Sequence, residues 1–541
     1  MTAIGSLLRL RLRRDRVQLT VWVLAIALMT VFTAAAVASE FGTEAERISV
    51  VKLATATPAL LAFRGVAAGA STGAFFVFDG LTYLAVLAGL MSTFLAVRHS
   101  RADEESGRAE LIAATSAGRF APTIATVIEG VIANVAVMVL VFLGLIASGF
   151  DVAGSVTFAW ALGAVGIAFL GIGLLCAQVF STSRAANGCA AALVGIAYLV
   201  RGIADASGTV SADGLHTTST WVSWLSPIGW AQKTNPYTDN AWWVALLCVA
   251  LCAVLVVVTL VLQAVRDTGA GLIAARSGRA TASPILRGPL GLAWRLSRGS
   301  IIGWGIGALV LAFVAGGLGG AVIKLLKSNS TVTTAISSIS PGGSGGILQQ
   351  FVAAMMAFIA ILVAGSVLQI IMRMRQDEAA GTTEVVLATR VGRIRWFLGF
   401  WVIGVVSAAV ILAVSGAVTG GVLAANKGVD PAIFGQSVGT ALVQLPAVLI
   451  YLSVLGLVFA VIPRLTIGIG WAMLALGAFL GQFGGLLKLP DWVRNISPAE
   501  HTPALPMANA DFSGFWRMAA IVIVVGVLTA VLVRQRDVAV G

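Results

Sequence analysis

Long apolar runs, each about the length of a membrane-spanning helix, dominate the pattern of hydrophobic and polar positions. A bilayer core about 30 Å thick needs roughly 20 apolar residues in a helical span. Twelve runs with charges at their ends occur at residues 17–37, 75–97, 123–147, 157–180, 185–203, 241–264, 300–322, 349–372, 396–423, 436–462, 465–485 and 514–535. The pattern predicts an all-α polytopic membrane protein with about 12 transmembrane helices.

Composition supports this interpretation. The 541 residues are 58% hydrophobic and only 11% charged, whereas soluble domains carry about 25% charged residues. The first run follows five arginines and could be read as a cleaved secretory signal. Its apolar stretch is longer than the roughly 7–15 residues of a signal peptide, so we interpret it as the first span.

Basic residues are distributed unevenly between alternate connections. With the N-terminus in the cytoplasm, 24 of the 35 Lys and Arg residues fall on the cytoplasmic side, and every lysine falls on the other side or at outer span ends. The positive-inside rule therefore predicts that both termini are cytoplasmic. The net charge of +12 reflects this topology. The basic residues form no patch with interleaved aromatics, so no nucleic-acid partner is expected.

Residue types that carry catalysis or bind metals are sparse. The four cysteines lie in predicted spans without nearby histidines, and the three histidines are far apart in sequence: Cys176, Cys189, Cys248, Cys252, His99, His216 and His501. No metal site and no cofactor is predicted in this chain. A membrane enzyme is a third interpretation, and no catalytic arrangement in the sequence supports it.

A charged segment occurs twice. Residues 101–119 read RADEESGRAELIAATSAGR and residues 375–393 read RQDEAAGTTEVVLATRVGR, with nine identities in nineteen positions at an offset of 274. Each copy follows the second span of a six-span half. We therefore predict two fused parallel repeats: residues 1–264, with an amphipathic N-terminal helix, and residues 300–541. A cytoplasmic linker with a second connecting helix occupies residues 265–299.

Within each copy, acids precede a glycine and arginines close the segment. Acids near a helix N-terminus and basic residues near its C-terminus favour a short helix. The alternative is a merely solvated connection. Because both copies retain the same acids, glycines and arginine, the repeat favours a surface that binds a cytoplasmic partner twice.

The two segments resemble the cytoplasmic loop motif of ATP-binding-cassette export permeases of the second type, in which an acidic pair, Gly, Glu and a Leu-Ala-Thr ending recur after the second span. Twelve spans in two fused units look most like the actinobacterial polyketide-antibiotic (tetronasin-type) exporter permeases. The first copy departs from the motif at Arg108 and ends in Ala-Ala-Thr, which leaves open whether both halves dock equally.

The resemblance implies an exporter of hydrophobic compounds such as antibiotics, other drugs, polyketides or lipids, in a bacterial cell membrane. It also implies that the segments are coupling helices that contact two copies of an ATPase subunit through Asp103, Glu104, Gly107, Glu110, Asp377, Glu378, Gly381 and Glu384. The chain has no phosphate-binding loop of the G-x-x-x-x-G-K-[ST] type. ATP and Mg²⁺ are therefore expected on the partner, and this chain is expected not to be an enzyme.

In that family the second and fifth spans line a central cavity. The resemblance makes eight side chains substrate-cavity candidates: Phe76, Tyr83, Tyr198, Met355, Met356, Phe358, Phe479 and Gln482. The alternative is that they pack helices or face lipid. The long outer loops, with Ser226-Pro227 in one and Ser497-Pro498 in the other, match a family region that contains a re-entrant helix.

Glu129 is an acid inside an apolar run. Because charge is expensive in hydrocarbon, it is a functional candidate by default, with local hydrogen bonding as the alternative. The main rival function is a proton-coupled exporter of the major-facilitator kind, which also has twelve spans in parallel repeats. No chain of acids or histidines crosses the membrane in the sequence, and this weighs against proton coupling.

Overall fold

The chain divides into two compact units, unit 1 at Met1–Gly278 and unit 2 at Arg279–Gly541. The computed structural model describes residues 3–115, 117–267, 269–273, 281, 283, 286–328, 347–426, 429–483, 490–503 and 511–536. Residues 268, 274–280, 282, 284 and 285 of the predicted linker 265–299, and the last two residues of predicted span 465–485, lie outside these ranges. Each unit is described by itself.

Unit 1 is a bundle of long helices with a small outer layer. Its helices are α1 (Ala3–Glu40), α2 (Glu44–Thr55), α3 (Pro58–Arg64), α4 (Thr72–Arg98), α5 (Arg101–Glu105), α6 (Arg108–Ala113), α7 (Ala121–Ala147), α8 (Val152–Val179), α9 (Ser183–Ala206), α10 (Pro227–Gln232) and α11 (Leu246–Val265). A hairpin pairs β1 (Thr209–Val210) with β2 (Thr217–Thr218) in antiparallel register, and 3₁₀ turns cover Trp221–Leu225 and Trp242–Ala245.

Unit 2 repeats this plan with fewer described outer elements. Its helices are α12 (Gly288–Ser328), α13 (Ile347–Ala379), α14 (Thr382–Leu387), α15 (Arg393–Ala424), α16 (Ile433–Leu442), α17 (Leu445–Val461), α18 (Thr466–Phe483), α19 (Asp491–Arg494) and α20 (Ser513–Gln535), with 3₁₀ turns at Pro463–Leu465 and Pro498–His501. Its fourth span is divided where α16 ends and α17 begins, at Gln444 and Pro446.

The described helices form twelve spans that are long and apolar enough to cross a membrane, six in each unit, with α16 and α17 together forming one of them. This confirms the predicted all-α, twelve-span architecture. The spans of both units pack in the same pairs: first on third, second on fourth, first on second, fourth on sixth, second on fifth and fourth on fifth. Two segments that differ at most positions therefore build one helix arrangement.

The fourth span of unit 1, α8, is the centre of its bundle. In its most apolar stretch 83% of residues are buried, compared with 28% in α11 at the edge of the same unit. Membrane helices gain no hydrophobic energy by leaving lipid, so close backbone approach through small residues drives their association. The glycines of α8 supply that approach: Gly154, Gly163, Gly166, Gly171 and Gly173.

The Ser-Pro pairs of the outer loops have the same contact in both units. Ser226 directly precedes α10, and its hydroxyl donates to the carbonyl of Ala197 on α9 at 2.7 Å. Ser497 precedes the 3₁₀ turn of unit 2, and its hydroxyl donates to the carbonyl of Gly477 on α18 at 3.1 Å. In each unit the serine therefore bonds the loop between the fifth and sixth spans to the fifth span.

Gly173→Ala is expected to destabilise unit 1, because the added Cβ would lie 2.9 Å from the Cα of Thr93 and 2.8 Å from the Cβ of Ala96 on α4. Overpacking of this kind costs about 1–3 kcal/mol. Gly195→Ala on α9 is the matched control, since no described atom lies within 4 Å of its added Cβ. Thermal unfolding in detergent should show a lower Tm for the first variant alone; equal Tm values would contradict the packing described.

Candidate functional site

The two charged segments fold identically at their glycines. Gly107 lies between α5 and α6 with φ 72° and ψ −1°, and Gly381 lies between α13 and α14 with φ 73° and ψ −2°. This left-handed conformation is costly for residues with a side chain. The glycine lets the chain turn from the second span into a separate short helix, as the sequence predicted.

The shared threonine closes each short helix. The hydroxyl of Thr115 donates to the carbonyl of Ile112 at 2.6 Å, and the hydroxyl of Thr389 donates to the carbonyl of Val386 at 2.6 Å. Each threonine oxygen also accepts a hydrogen bond from the backbone N–H two residues later. The same carbonyls also accept the backbone N–H of the threonine, at 3.0 and 3.2 Å, so both donors of the threonine end the last turn of each helix.

An ion pair joins the start of each segment to the end of the last span. Glu104 Oε1 lies 2.6 Å from Nη2 of Arg266, the residue that directly follows α11. Glu378 Oε2 lies 2.5 Å from Nη2 of Arg536, which directly follows α20. Glu378 is 1% exposed. A buried charge is stable only when paired and hydrogen-bonded, so each arginine fixes the acid beside it.

The last arginine of each segment bonds to the backbone of the arginine that follows the sixth span of its unit. Arg119 Nη2 donates to the backbone carbonyl of Arg266 at 2.8 Å, and Arg393 Nη1 donates to the backbone carbonyl of Arg536 at 2.9 Å. The two ends of each segment thus meet at one arginine after the sixth span. We call these contacts the loop clamp, formed by Glu104, Arg119 and Arg266 in unit 1 and by Glu378, Arg393 and Arg536 in unit 2.

The first acid of each pair also has partners within its own unit. Asp103 is buried and lies 3.0 Å from Arg14 and 3.4 Å from Arg108. Asp377 lies 2.7 Å from Arg373, one helical turn before it. From the sequence we expected all four acids of these pairs to contact a partner. The structure shows that each of these acids also has an ion pair within its own unit, and their contact with a partner stays a prediction.

One acid of each segment remains at the surface. Glu110 and Glu384 are exposed, and their carboxylates make no hydrogen bond or ion pair within the described parts of the chain. Beside them, Leu111 is 73% exposed and Val385 is 72% exposed. An acid and a protruding aliphatic side chain therefore occupy equivalent positions on α6 and α14. We call these four residues the exposed docking face.

The substrate-cavity candidates of unit 1 contact other parts of the same unit. Phe76 is fully buried among aromatic rings, with Phe158 4.9 Å away between ring centroids. Tyr83 packs against Phe63 at 5.3 Å, and the hydroxyl of Tyr198 donates to the carbonyl of Phe63 at 2.7 Å. These side chains hold the core and the outer helix α3 of unit 1.

The candidates of unit 2 are more varied. Met356 is fully buried in the core, and Gln482 is 4% exposed. Met355 and Phe358 are half-buried on α13, while Phe479 is 48% exposed on α18. Those with exposed surface keep the adaptable apolar character suited to hydrophobic ligands.

Glu129 lies in a charged cluster that the sequence did not reveal. His99, the residue after α4, places Nε2 2.6 Å from Asp15 Oδ2 of α1 and 3.5 Å from Glu129 Oε2 of α7. All three residues are buried and could together hold a metal ion. Arg98 binds the other oxygen of Asp15 at 2.9 Å, and Asp103 Oδ2 lies 3.7 Å from His99 Nδ1.

A cavity of about 400 Å³ lies between this cluster and the charged segment. Its lining joins the two: Arg11, His99, Asp103, Glu104, Arg119 and Arg266 all contribute. Arg11 spans the cavity wall, donating to Thr126 Oγ1 at 2.7 Å and to the carbonyl of His99 at 3.0 Å. The loop clamp of unit 1 and the Asp15–His99–Glu129 cluster are therefore neighbours.

Comparison with known proteins places the chain in a transporter family. A family model described as the C-terminal domain of the multidrug efflux system permease Rv1217c matches residues 286–534. The multidrug efflux system permease protein Rv1217c of Mycobacterium tuberculosis is 35% identical over 542 residues, covering 98% of this chain and 95% of that relative. The chain belongs to the multidrug efflux system permease family. This permease is thus a transport subunit and a multi-pass protein of the cell membrane.

The permease retains in both halves those residues of the charged segment that build the loop clamp and the glycine turn. That accounts for three of the nine identities between the two copies, Glu104, Gly107 and Arg119 with their counterparts. It does not explain Glu110 and Glu384, whose carboxylates point to solvent.

Arg536→Gln is expected to destabilise unit 2 by about 1.5–3 kcal/mol, because it removes a charged hydrogen-bond partner of the buried Glu378 carboxylate. Arg534→Gln is the control. The Arg534 side chain is exposed, and only the backbone carbonyl of this residue, which the substitution keeps, bonds to Arg393. Adding Glu378→Gln to Arg536→Gln should recover much of the loss. Thermal unfolding in detergent measures all three; a double variant as unstable as the single one would contradict the clamp.

Proposed function

We propose that the permease is the transmembrane subunit of an ATP-driven exporter, and that α6 and α14 are its coupling helices. The observation that carries the proposal is the exposed docking face. The sequence keeps Glu110 and Glu384 at matching positions, yet neither has an internal partner among the described residues. An acid next to a protruding aliphatic residue suits a socket in another protein.

The loop clamp supports a mechanical role for these helices. A partner that pushes or turns α6 acts on Glu104 and Arg119, and through them on Arg266 at the end of α11. In unit 2 the same path leads from α14 to Arg536 at the end of α20. Movement of a docked subunit would therefore reach the sixth span and, through α8 or α17, the bundle centre of each unit.

Two docking faces imply two partner subunits, most simply two copies of one ATPase that meets two similar faces. ATP and Mg²⁺ would bind to those subunits, because this chain lacks a phosphate-binding loop. The name of the M. tuberculosis relative as an efflux system permease fits a system of several components.

For the cargo we propose hydrophobic compounds, including antibiotics. The multidrug efflux name of the relative supports this class, as do Met355, Phe358 and Phe479, which retain exposed apolar surface. The resemblance to tetronasin-type exporters suggests polyketides within that class.

Reversing the charge of both docking acids, Glu110→Arg with Glu384→Arg, should abolish copurification of the ATPase. The introduced arginines would carry the same sign of charge as the site on the ATPase that is proposed to bind the acids. The control pair is Glu40→Arg with Glu44→Arg, which makes the same net change on exposed acids at the opposite end of α1. Both pairs should unfold close to the wild-type Tm. Retained ATPase with reversed docking acids, or transport driven by a proton gradient without any ATPase, would refute the proposal.

Single variants test whether both halves dock. Leu111→Asp alters only unit 1 and Val385→Asp only unit 2, and each places a charge where the apolar side chain would be buried. Each variant should reduce the copurified ATPase from two copies per permease to one, measured by native mass spectrometry. If one variant leaves two copies bound, that half does not dock through its short helix.

A further inference from the structure

We propose that unit 2 binds the headgroup of an anionic phospholipid where its third and sixth spans end, on the side predicted to be cytoplasmic. The binding groups are Arg390, Arg393, Arg395 and Arg534, which we call the arginine cluster. This inference does not depend on the proposed ATPase partner. It follows from a cavity, from the charge around it and from the apolar surface beside it.

The arginine cluster surrounds a cavity of about 490 Å³, and Gly392 and Ile394 complete its lining. Arg390, Arg395 and Arg534 are exposed, and no ion pair joins their side chains to another described residue. The lining contains no acid. Guanidinium groups match the geometry of phosphate oxygens. Positive charge gathered around one cavity therefore favours a ligand with a phosphate group.

Two members of the cluster lie where a helix disfavours positive charge. Arg393 and Arg395 are in the first turn of α15, which contains no acid, and no side chain caps this helix at Gly392. The N-terminus of a helix carries partial positive charge, so the arginines add to it. A phosphate group would compensate both, because it pairs with guanidinium groups and accepts hydrogen bonds from the N–H groups of a helix N-terminus.

Unit 1 has small uncharged residues in place of the three exposed arginines. At the repeat offset of 274, and at the offset of 270 between the two arginines that follow the sixth spans, the corresponding residues are Ser116, Ala121 and Ala264. Unit 1 nevertheless builds the same glycine turn and loop clamp. Packing therefore does not require the three arginines. The positive-inside rule accounts for basic residues near span ends, but it does not require them to share one cavity.

Exposed aliphatic side chains continue from the arginine cluster along two spans. α15 and α20 pack against each other, and on each helix these side chains recur every three or four residues on the face that carries an arginine of the cluster. They are Leu398, Val402 and Val406 on α15, and Val524, Val527 and Val531 on α20.

This apolar face favours a lipid over a free anion. Exposed aliphatic surface on a span contacts acyl chains, so a headgroup held by the arginine cluster has its chains alongside both helices. Basic pockets between transmembrane helices on the cytoplasmic side are suited to anionic headgroups. A soluble phosphate ion would gain nothing from the aliphatic side chains.

The test is native mass spectrometry of the full-length permease in detergent, titrated separately with phosphatidylglycerol and phosphatidylcholine. Wild type should bind phosphatidylglycerol more tightly. The triple variant Arg390→Gln, Arg395→Gln and Arg534→Gln should bind the first phosphatidylglycerol on the order of a hundredfold more weakly, since each basic residue near an anionic surface contributes roughly fivefold. Arg393 is kept because it belongs to the loop clamp.

Two further variants separate charge at this site from charge in general. Lysine at the same three positions keeps the charge and should retain most of the binding. The matched control replaces three exposed arginines outside the cluster with glutamine and should bind like wild type: Arg184, Arg298 and Arg464.

A photoreactive phosphatidylglycerol, with the reactive group in an acyl chain, locates the site in wild type even if the glutamine variant does not fold. It should label peptides that contain residues 398–406 and 524–531. Excess inorganic phosphate should not prevent the labelling, because the acyl chains contribute to binding.

Several results would overturn the inference. Equal binding of the two lipids by wild type, or unchanged phosphatidylglycerol binding in a folded glutamine variant, would remove the lipid site. Labelling abolished by inorganic phosphate would show a site for a soluble anion instead. Unchanged lipid binding together with loss of copurified ATPase in the glutamine variant would assign the arginines to the partner.

Discussion

The structure depends on one constraint repeated in both units, the pairing of an acid of the charged segment with the arginine that follows the last span. Glu104 meets Arg266 and Glu378 meets Arg536, and the closing arginine of the same segment binds the carbonyl of that residue. Breaking either pair is costly because one partner in each, Arg266 in unit 1 and Glu378 in unit 2, is buried. The clamp thus closes a six-span unit by joining its second, third and sixth spans at one end.

This constraint explains how a soluble partner could act on a membrane bundle. The loop clamp holds the segment that contains α6 or α14 at both ends, while the middle of the short helix is exposed. A force on the exposed docking face would therefore be transmitted through the ion pairs and hydrogen bonds of the clamp to the sixth span. The glycine turn before it allows the helix to stand apart from the second span. A coupling helix needs firm attachment to the membrane bundle and an accessible surface for its partner. The loop clamp provides the first and the exposed docking face the second.

The sequence predicted the twelve spans, because apolar length is nearly sufficient to identify a membrane helix. It also predicted the repeated segment and its short helix. It did not predict which acids would be internal, since Asp103, Glu104 and Glu110 look alike in the sequence. Their difference comes from the helix packing that brings Arg14 and Arg266 to the first two. The cluster of Asp15, His99 and Glu129 was also missed because three separate helices supply it; the single acid among the N-terminal arginines was its only signal.

The most direct measurement of the central claim is site-specific photo-crosslinking from the exposed docking face. A photoreactive amino acid would replace Leu111 or Val385, with Glu44 at the opposite end of unit 1 as the control position. The account predicts crosslinks to the ATPase subunit from both docking positions and none from the control. Transport-competent permease that crosslinks to no ATPase from either helix would contradict it.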